Sequence, residues 1–420
     1  MADDRNTGAS RRGFLGAAVG ALGGVGLAGS ALATPPRAMA GPGLLSGHGE
    51  PFYGAHQGGI TTPAQKHLYF AAFDIITDKR ADVEDLLRRW TEASARLTAG
   101  LPLAGGDGAD QAPGDSGEAE GLGPERLTLT IGFGAGLFGK LGLAAHRPEA
   151  LIDLPRFNGD QLLPEKTGGD LCVQACADNA QVAMHAARHL ARIGYGVVQM
   201  RWAQAGFGSG GKPGETPRNL MGFKDGTMNP DARDPRAMAQ HVWVGDEGGW
   251  MKGGSYLVAR PIRISLEHWD RMKLGFQEQV VGRHKASGAP LGQTHEFEPL
   301  NLDATDADGN PRIPENSHTR MGAPQVNDGA QILRRAYAYD NGVAHIAERW
   351  PPWRQGMMMD AGLMFLCWQR DPRSGFVKIF ENMAKFDMMN QFVTHIGSGL
   401  FACPPGAQQG EFIGQALFTA

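Results

Sequence analysis

Two short segments carry side chains whose types and spacing could do chemistry. The first is Gly222-Phe223-Lys224-Asp225-Gly226-Thr227-Met228-Asn229-Pro230. Asp225-Gly226 is a turn signal in its own right. Its functional reading is a carboxylate held beside glycines, where the backbone can approach a ligand closely. The second segment is Asn316-Ser317-His318-Thr319-Arg320, with Arg334 sixteen residues beyond the histidine. As one of 13 histidines, His318 alone reads as a surface or hydrogen-bonded residue, with metal ligation as the sharper alternative. Arg334 shares a strand face with Ile332, Ala336 and Ala338. A charge among small apolar neighbours on an inward face needs a partner or an anionic ligand, because burying it unpaired is costly.

These residues need a scaffold, and the hydrophobic pattern supplies two similar halves. In the first, residues 66–76 are apolar and β-prone. Asp78 can then cap a helix whose Val83, Leu86, Leu87, Trp90 and Leu97 fall on one face. Residues 100–125 are rich in Gly, Asp and Ala and read as an exposed loop. Leu127, Leu129, Ile131 and Phe133 alternate with small or polar residues, as in a half-buried strand. A strand over 171–177, a helix capped by Asp178 with Val182, Ala186, Leu190 and Ile193, and a strand over 195–202 complete the order βαββαβ. That order is a ferredoxin-like unit.

The second half repeats it. Residues 255–264 form a strand, Ser265 opens helical segments to about 281, and a long polar loop covers 283–331. Strands follow over 332–339 and 362–368. Phe376, Ile379, Phe380 and Met383 make a helical apolar face, and 396–402 closes the sheet. The expected fold class is α+β: two ferredoxin-like halves with antiparallel sheets, spanning 55–230 and 231–420.

Residues 1–40 stand apart. Arg11-Arg12 precede a soft Gly/Ala-rich apolar run, followed by Ala31-Leu32-Ala33 and Ala38-Met39-Ala40 as cleavage sites. Charged, apolar and small-residue regions in that order read as a twin-arginine signal peptide; the alternative is an uncleaved membrane anchor. Export of the folded protein to the periplasm or the exterior is expected. A formal net charge of −4 supplies no basic field for nucleic acid. The four cysteines include no C-x-x-C, which excludes covalent C-x-x-C-H haem attachment. Cys172 and Cys176 read as small buried thiols, with a structural disulfide as the alternative.

Taken together, Gly222-x-x-Asp225-Gly226, His318-x-Arg320 and Leu333-Arg334-Arg335-x-Tyr337-x-Tyr339 resemble the dye-decolourising peroxidase family, most closely its twin-arginine-exported deferrochelatase/peroxidase branch. The likeness runs from His56-Gln57-Gly58-Gly59 through Glu215-Thr216-Pro217-Arg218, Gly288-Ala289-Pro290-Leu291 and Ser398-Gly399-Leu400-Phe401 to residues 412–417. It implies one non-covalent haem b per chain, bound in the C-terminal half, with His318 as the axial iron ligand. Asp387 falls where the family places the acid that accepts that ligand's other N–H. Asp225 matches a distal acid–base and Arg334 its electrostatic partner. Gly226, Thr227 and Met228 should pack on the haem edge, and Phe365 should line the distal pocket.

The implied reaction is peroxidatic. Hydrogen peroxide takes the iron up two oxidation levels to a high-valent state, and one-electron donors such as dyes or phenols return it. Surface aromatics such as Trp350, Trp353 or Tyr339 would serve as an exit for electrons, with plain packing as the competing role of each. Two other functions compete: release of iron from haem with the porphyrin intact, working beside an iron-uptake system, and plain haem carriage. A carrier has no need of Asp225 with Arg334. The resemblance also implies association into homo-oligomers. One departure stands out: where relatives read Asn-Pro-Arg, this chain has Ala323-Pro324-Gln325. A cation for a haem propionate is missing there, and Arg320 or Arg335 is its expected substitute. The 104–124 insertion is read as surface decoration.

Overall fold

The apolar run after Lys66 becomes β1 (His67–Ile75), the centre of the first sheet. It pairs antiparallel with β3 (Leu171–Ala177) on one side and β4 (Val198–Phe207) on the other, and β2 (Thr128–Gly134) flanks β3. The order β4-β1-β3-β2, with helices Arg80–Thr98 and Ala180–Ile193 as crossovers, is the ferredoxin-like arrangement. This computed structural model describes residues 48–106, 108–208, 215–347 and 355–419. The twin-arginine segment, Trp350 and Trp353 lie outside the described residues. Among those described, no helix is long and apolar enough to cross a membrane.

The helical stripe Val83, Leu86, Leu87, Trp90 and Leu97 is buried against Val182, Ala186, Leu190 and the β2 residues Leu129, Ile131 and Phe133. Each such side chain contributes about 1.5–3 kcal/mol through burial. Trp90 also donates its indole N–H to the Leu190 carbonyl at 2.7 Å.

The second sheet repeats the order with its two outer strands broken. It comprises β5 (Ser255–Ile264), β6 (Leu333–Arg334), β7 (Tyr337–Ala347), β8 (Gln355–Gln369), β9 (Val393–His395) and β10 (Gly399–Cys403). β8 pairs with β6 and then β7 along one edge and with β5 along the other; β5 in turn pairs with β9 and β10. Contacts of β10 with β2 and of β7 with β4 join the two sheets into a closed ring.

Closure explains several departures from the sequence reading. β2 is buried on both faces rather than half-buried, because its Thr128 and Thr130 side points into the ring. There Thr130 Oγ1 donates to the Gly58 carbonyl at 2.6 Å, and Gln174 Nε2 donates to Thr130 Oγ1 at 3.1 Å. Tyr339, expected at the surface, is fully buried in the ring interior with Tyr337, Trp368 and Phe401. All four cysteines are buried free thiols. The helix caps also differ: Lys79, not Asp78, precedes the first helix, and Asn179, not Asp178, caps the second by accepting from the Gln181 N–H at 2.9 Å. Asp178 instead accepts from the Lys66 N–H and faces Arg126. The strand expected over 195–202 begins at Val198, because Gly194–Val197 forms a turn.

Candidate active site

Strand register decides what the outer face of the second sheet presents. Arg334 opposes Cys367, Phe365 opposes Arg260, Leu363 opposes Ile262, and Ile262 opposes His395. With a side-chain period of two, Arg334, Ala336, Leu363, Phe365, Ile262, Ile264 and His395 share one face. That face forms one wall of a cavity of about 220 Å³. Phe376, Ile379, Phe380 and Met383, on the helical turns ending at Phe386, line it too, as do Asp225, Gly226, Thr227 and Met228 of the glycine-rich loop and His318. The two segments singled out by their chemistry thus meet in one place.

His318 opens the short helix His318–Met321. Its Nδ1 lies 2.7 Å from Asp387 Oδ2, while Asp387 Oδ1 accepts from the Met389 N–H at 2.8 Å. A carboxylate only accepts, so the imidazole carries its proton on Nδ1 and keeps the Nε2 lone pair for a ligand. The Asp387 side chain is 2% exposed against 37% for His318. The acid is therefore fixed and the ring is open. Burial works against a charged imidazole here, but Asp387 outweighs it and raises the His318 pKa above its ordinary value. On the role that the resemblance implies for this pair, Asp387→Asn is expected to retain haem but lower turnover about 10–100-fold and shift the iron reduction potential upward, checked by spectroelectrochemical titration.

Asp225 and Arg334 form the other pole. Arg334 Nη1 donates to Asp225 Oδ1 at 3.2 Å. Asn229, unremarked in the sequence although it lies inside the glycine motif, clasps the strand. Its Nδ2 donates to the Arg334 carbonyl at 2.8 Å and its Oδ1 accepts from the Arg334 N–H at 3.1 Å. Gly226 has φ +117°, which only glycine adopts without strain, so the turn that presents Asp225 depends on it. Glu296 anchors the loop from below, accepting from Thr227 Oγ1 at 2.9 Å and pairing with Lys224. Burial raises its pKa, but bonds from Lys224, Thr216 and Thr227 prevail and hold it below the ordinary carboxylate value.

The expected propionate partners do not reach the cavity. Arg320 Nη1 donates to the carbonyls of Leu302 and Ile313, which ties it into the long loop. Arg335, on the opposite strand face from Arg334, is buried with the Thr62 carbonyl and Gln65. Arg283 lines the cavity instead. Its Nη1 donates to the carbonyls of Gly288 and Glu296, and its Nη2 is buried without a partner among the described residues. A buried cation with an unused donor suits a carboxylate-bearing ligand. Together with a lone-pair imidazole and apolar walls, it fits the carboxylate, iron and macrocycle of haem.

Behind His395 lies a further group absent from the sequence reading. Arg260 is fully buried on β5; it pairs with Asp160 and donates from Nε to His395 Nδ1 at 3.0 Å. The rings of Phe380, Phe157 and Phe376 surround its guanidinium at 5.1, 5.3 and 5.9 Å. An arginine at the centre of the apolar run Ser255–Ile264, three residues before Arg263, was the available signal.

Comparison with known proteins finds relatives along nearly the whole chain. Residues 57–208 match the family described as Dyp-type peroxidase, N-terminal, and 216–408 match Dyp-type peroxidase, C-terminal. A dye-decolorizing peroxidase of Thermobifida fusca is 35% identical, with 99% of this chain and 98% of that protein aligned. A deferrochelatase of Escherichia coli K12 is 35% identical, with 94% and 95% aligned. The crystal structure of a DyP-type peroxidase from Streptomyces coelicolor superposes with a TM-score of 0.81 at 39% identity, covering 90% of this chain and 98% of that one. Ferric DtpA from Streptomyces lividans gives 0.80 at 39% identity, with the same coverage.

Proposed function

Given that the chain belongs to the Dyp-type peroxidase family, whose members are haem b enzymes acting on peroxide, we propose that His318 ligates the iron and that Asp225 and Arg334 work the peroxide. The observation that carries this reading is the single cavity holding both an imidazole oriented by Asp387 and the Asp225–Arg334 pair. Bound haem supplies an iron centre that takes two oxidising equivalents from peroxide and passes them singly to donors.

The chain's own residues do the rest. Asp225 takes the proton from one peroxide oxygen and returns it to the other; Arg334 holds Oδ1 and leaves Oδ2 for the proton. The Arg334 guanidinium offsets negative charge as the O–O bond breaks. Arg283 would hold a propionate, the role Ala323-Pro324-Gln325 cannot fill. Export by the twin-arginine route to the periplasm or exterior, read from Arg11-Arg12, belongs to the same proposal.

The test is stopped-flow mixing of the haem-loaded protein with peroxide, for wild type, Asp225→Ala and Arg334→Ala. Full peroxide reactivity in both variants removes the assignment. Arg283→Leu is expected to weaken haem retention while sparing turnover of the loaded fraction, read by haem transfer to an acceptor globin. Iron release is the competing activity. Incubation with haem in the absence of peroxide is expected to yield no metal-free porphyrin; its appearance by fluorescence would place this chain with the deferrochelatases.

A further inference from the structure

The 104–124 insertion does more than decorate the surface: it brings acidic groups onto two buried histidines. His185 and His189 stand four residues apart on the Ala180–Ile193 helix, so they share a face. Their side chains are only 6% and 1% exposed. Asp115, from the insertion, faces both: Oδ2 lies 3.5 Å from His185 Nε2, and Oδ1 lies 3.7 Å from His189 Nε2. A tetrahedral ion with bonds of about 2.0–2.1 Å sets its ligands roughly 3.3 Å apart, close to these separations. Asp115 is itself fixed, Oδ2 accepting from the Leu103 N–H at 2.9 Å and Oδ1 from the Gly117 N–H at 2.8 Å.

The surroundings also suit an ion. Glu118 Oε1 stands 3.3 Å from His185 Nδ1, where a metal-bound imidazole needs an acceptor for its second N–H. As the groups stand, His189 Nδ1 and Glu118 Oε2 are buried without hydrogen-bond partners among the described residues. The two ring centroids are 4.4 Å apart. Two imidazoles with a carboxylate are the donor set of a borderline divalent ion. Ser116 donates its N–H to His189 Nε2 at 3.1 Å, with its Oγ 2.7 Å away. Metal capture exchanges that amide bond for a metal bond and leaves the hydroxyl alongside as a further oxygen donor. None of these residues lines the haem cavity.

We propose that Asp115, His185 and His189 form a site for a zinc-type divalent cation, with Glu118 orienting His185, that clasps the insertion to the helix. The test equilibrates tag-free, haem-loaded full-length protein with Zn²⁺, desalts it and measures retained zinc by mass spectrometry. Wild type is expected to retain one zinc per chain, and His189→Gln and Asp115→Asn none, with an unchanged Soret band showing that each variant is folded. Asp115 lies on the insertion, so Asp115→Asn keeps the test open should the buried histidine variant fail to fold. Glu118→Gln is expected to weaken zinc binding about 10–100-fold. Zinc should also slow proteolytic cleavage within 104–124 in wild type alone. Wild type retaining no zinc, or both variants retaining as much as wild type, overturns the proposal.

Discussion

Asp225→Asn is expected to slow the reaction of the haem-loaded protein with hydrogen peroxide by about 10²–10⁴-fold, the usual worth of a positioned acid–base group. The carboxamide preserves shape and can still accept from Arg334, but it cannot carry the proton between oxygens. Arg334→Leu is expected to cost about 10²–10³-fold by removing the charge that faces the breaking bond. The two residues are joined by a 3.2 Å bond, so their effects should not add. A double variant about as slow as the slower single one is the expected result, measured as the second-order rate constant at fixed pH. Independent, multiplicative losses would mean that the pair does not act as a unit.

The second large effect concerns stability. Asp160→Asn strands the fully buried Arg260 charge and is expected to cost about 3–5 kcal/mol, read from the urea midpoint and the melting temperature. Replacing both partners, Arg260→Met with Asp160→Leu, should cost less than the single change, because a buried ion pair is offset by its own desolvation. A pH dependence accompanies this cluster. Burial, and then the Arg260 charge, hold the His395 pKa well below its ordinary value of 6.5. The unfolded chain therefore binds a proton that the folded one refuses. Stability should fall as pH drops below about 6.5 and level off above it. A flat profile between pH 5 and 7 would contradict that reading of His395.

Much of this molecule was legible in its sequence, for identifiable reasons. The βαββαβ order of each half rests on helical stripes such as Val83–Leu86–Trp90 and on strand runs such as Ser255–Ile264, where local pattern and tertiary burial agree. The proposed site residues Asp225, His318, Arg334 and Asp387 were singled out through resemblance; strand register puts Arg334 on the cavity wall, and the loops and helix ends around it carry the others to the same cavity. What stayed hidden depended on long-range closure. Tyr339 reads as a surface aromatic until β7 meets β4 and the ring encloses it. Arg320, Arg335 and Arg283 are equivalent as letters; only strand face and loop path decide that Arg283 alone meets the cavity. Asn229 and Arg260 act through partners 100 or more residues away, which no local pattern reveals.

The most direct test of the central claim is the absorption spectrum of the haem-loaded protein, wild type against His318→Ala, before and after one equivalent of hydrogen peroxide. The expected result is a Soret band lost or strongly altered in the variant, and a rapid peroxide-induced change in wild type that returns to the starting spectrum on adding a one-electron donor. An unchanged Soret band in His318→Ala would remove His318 as the iron ligand, and the roles assigned to Asp387, Asp225 and Arg334 around it would go with it.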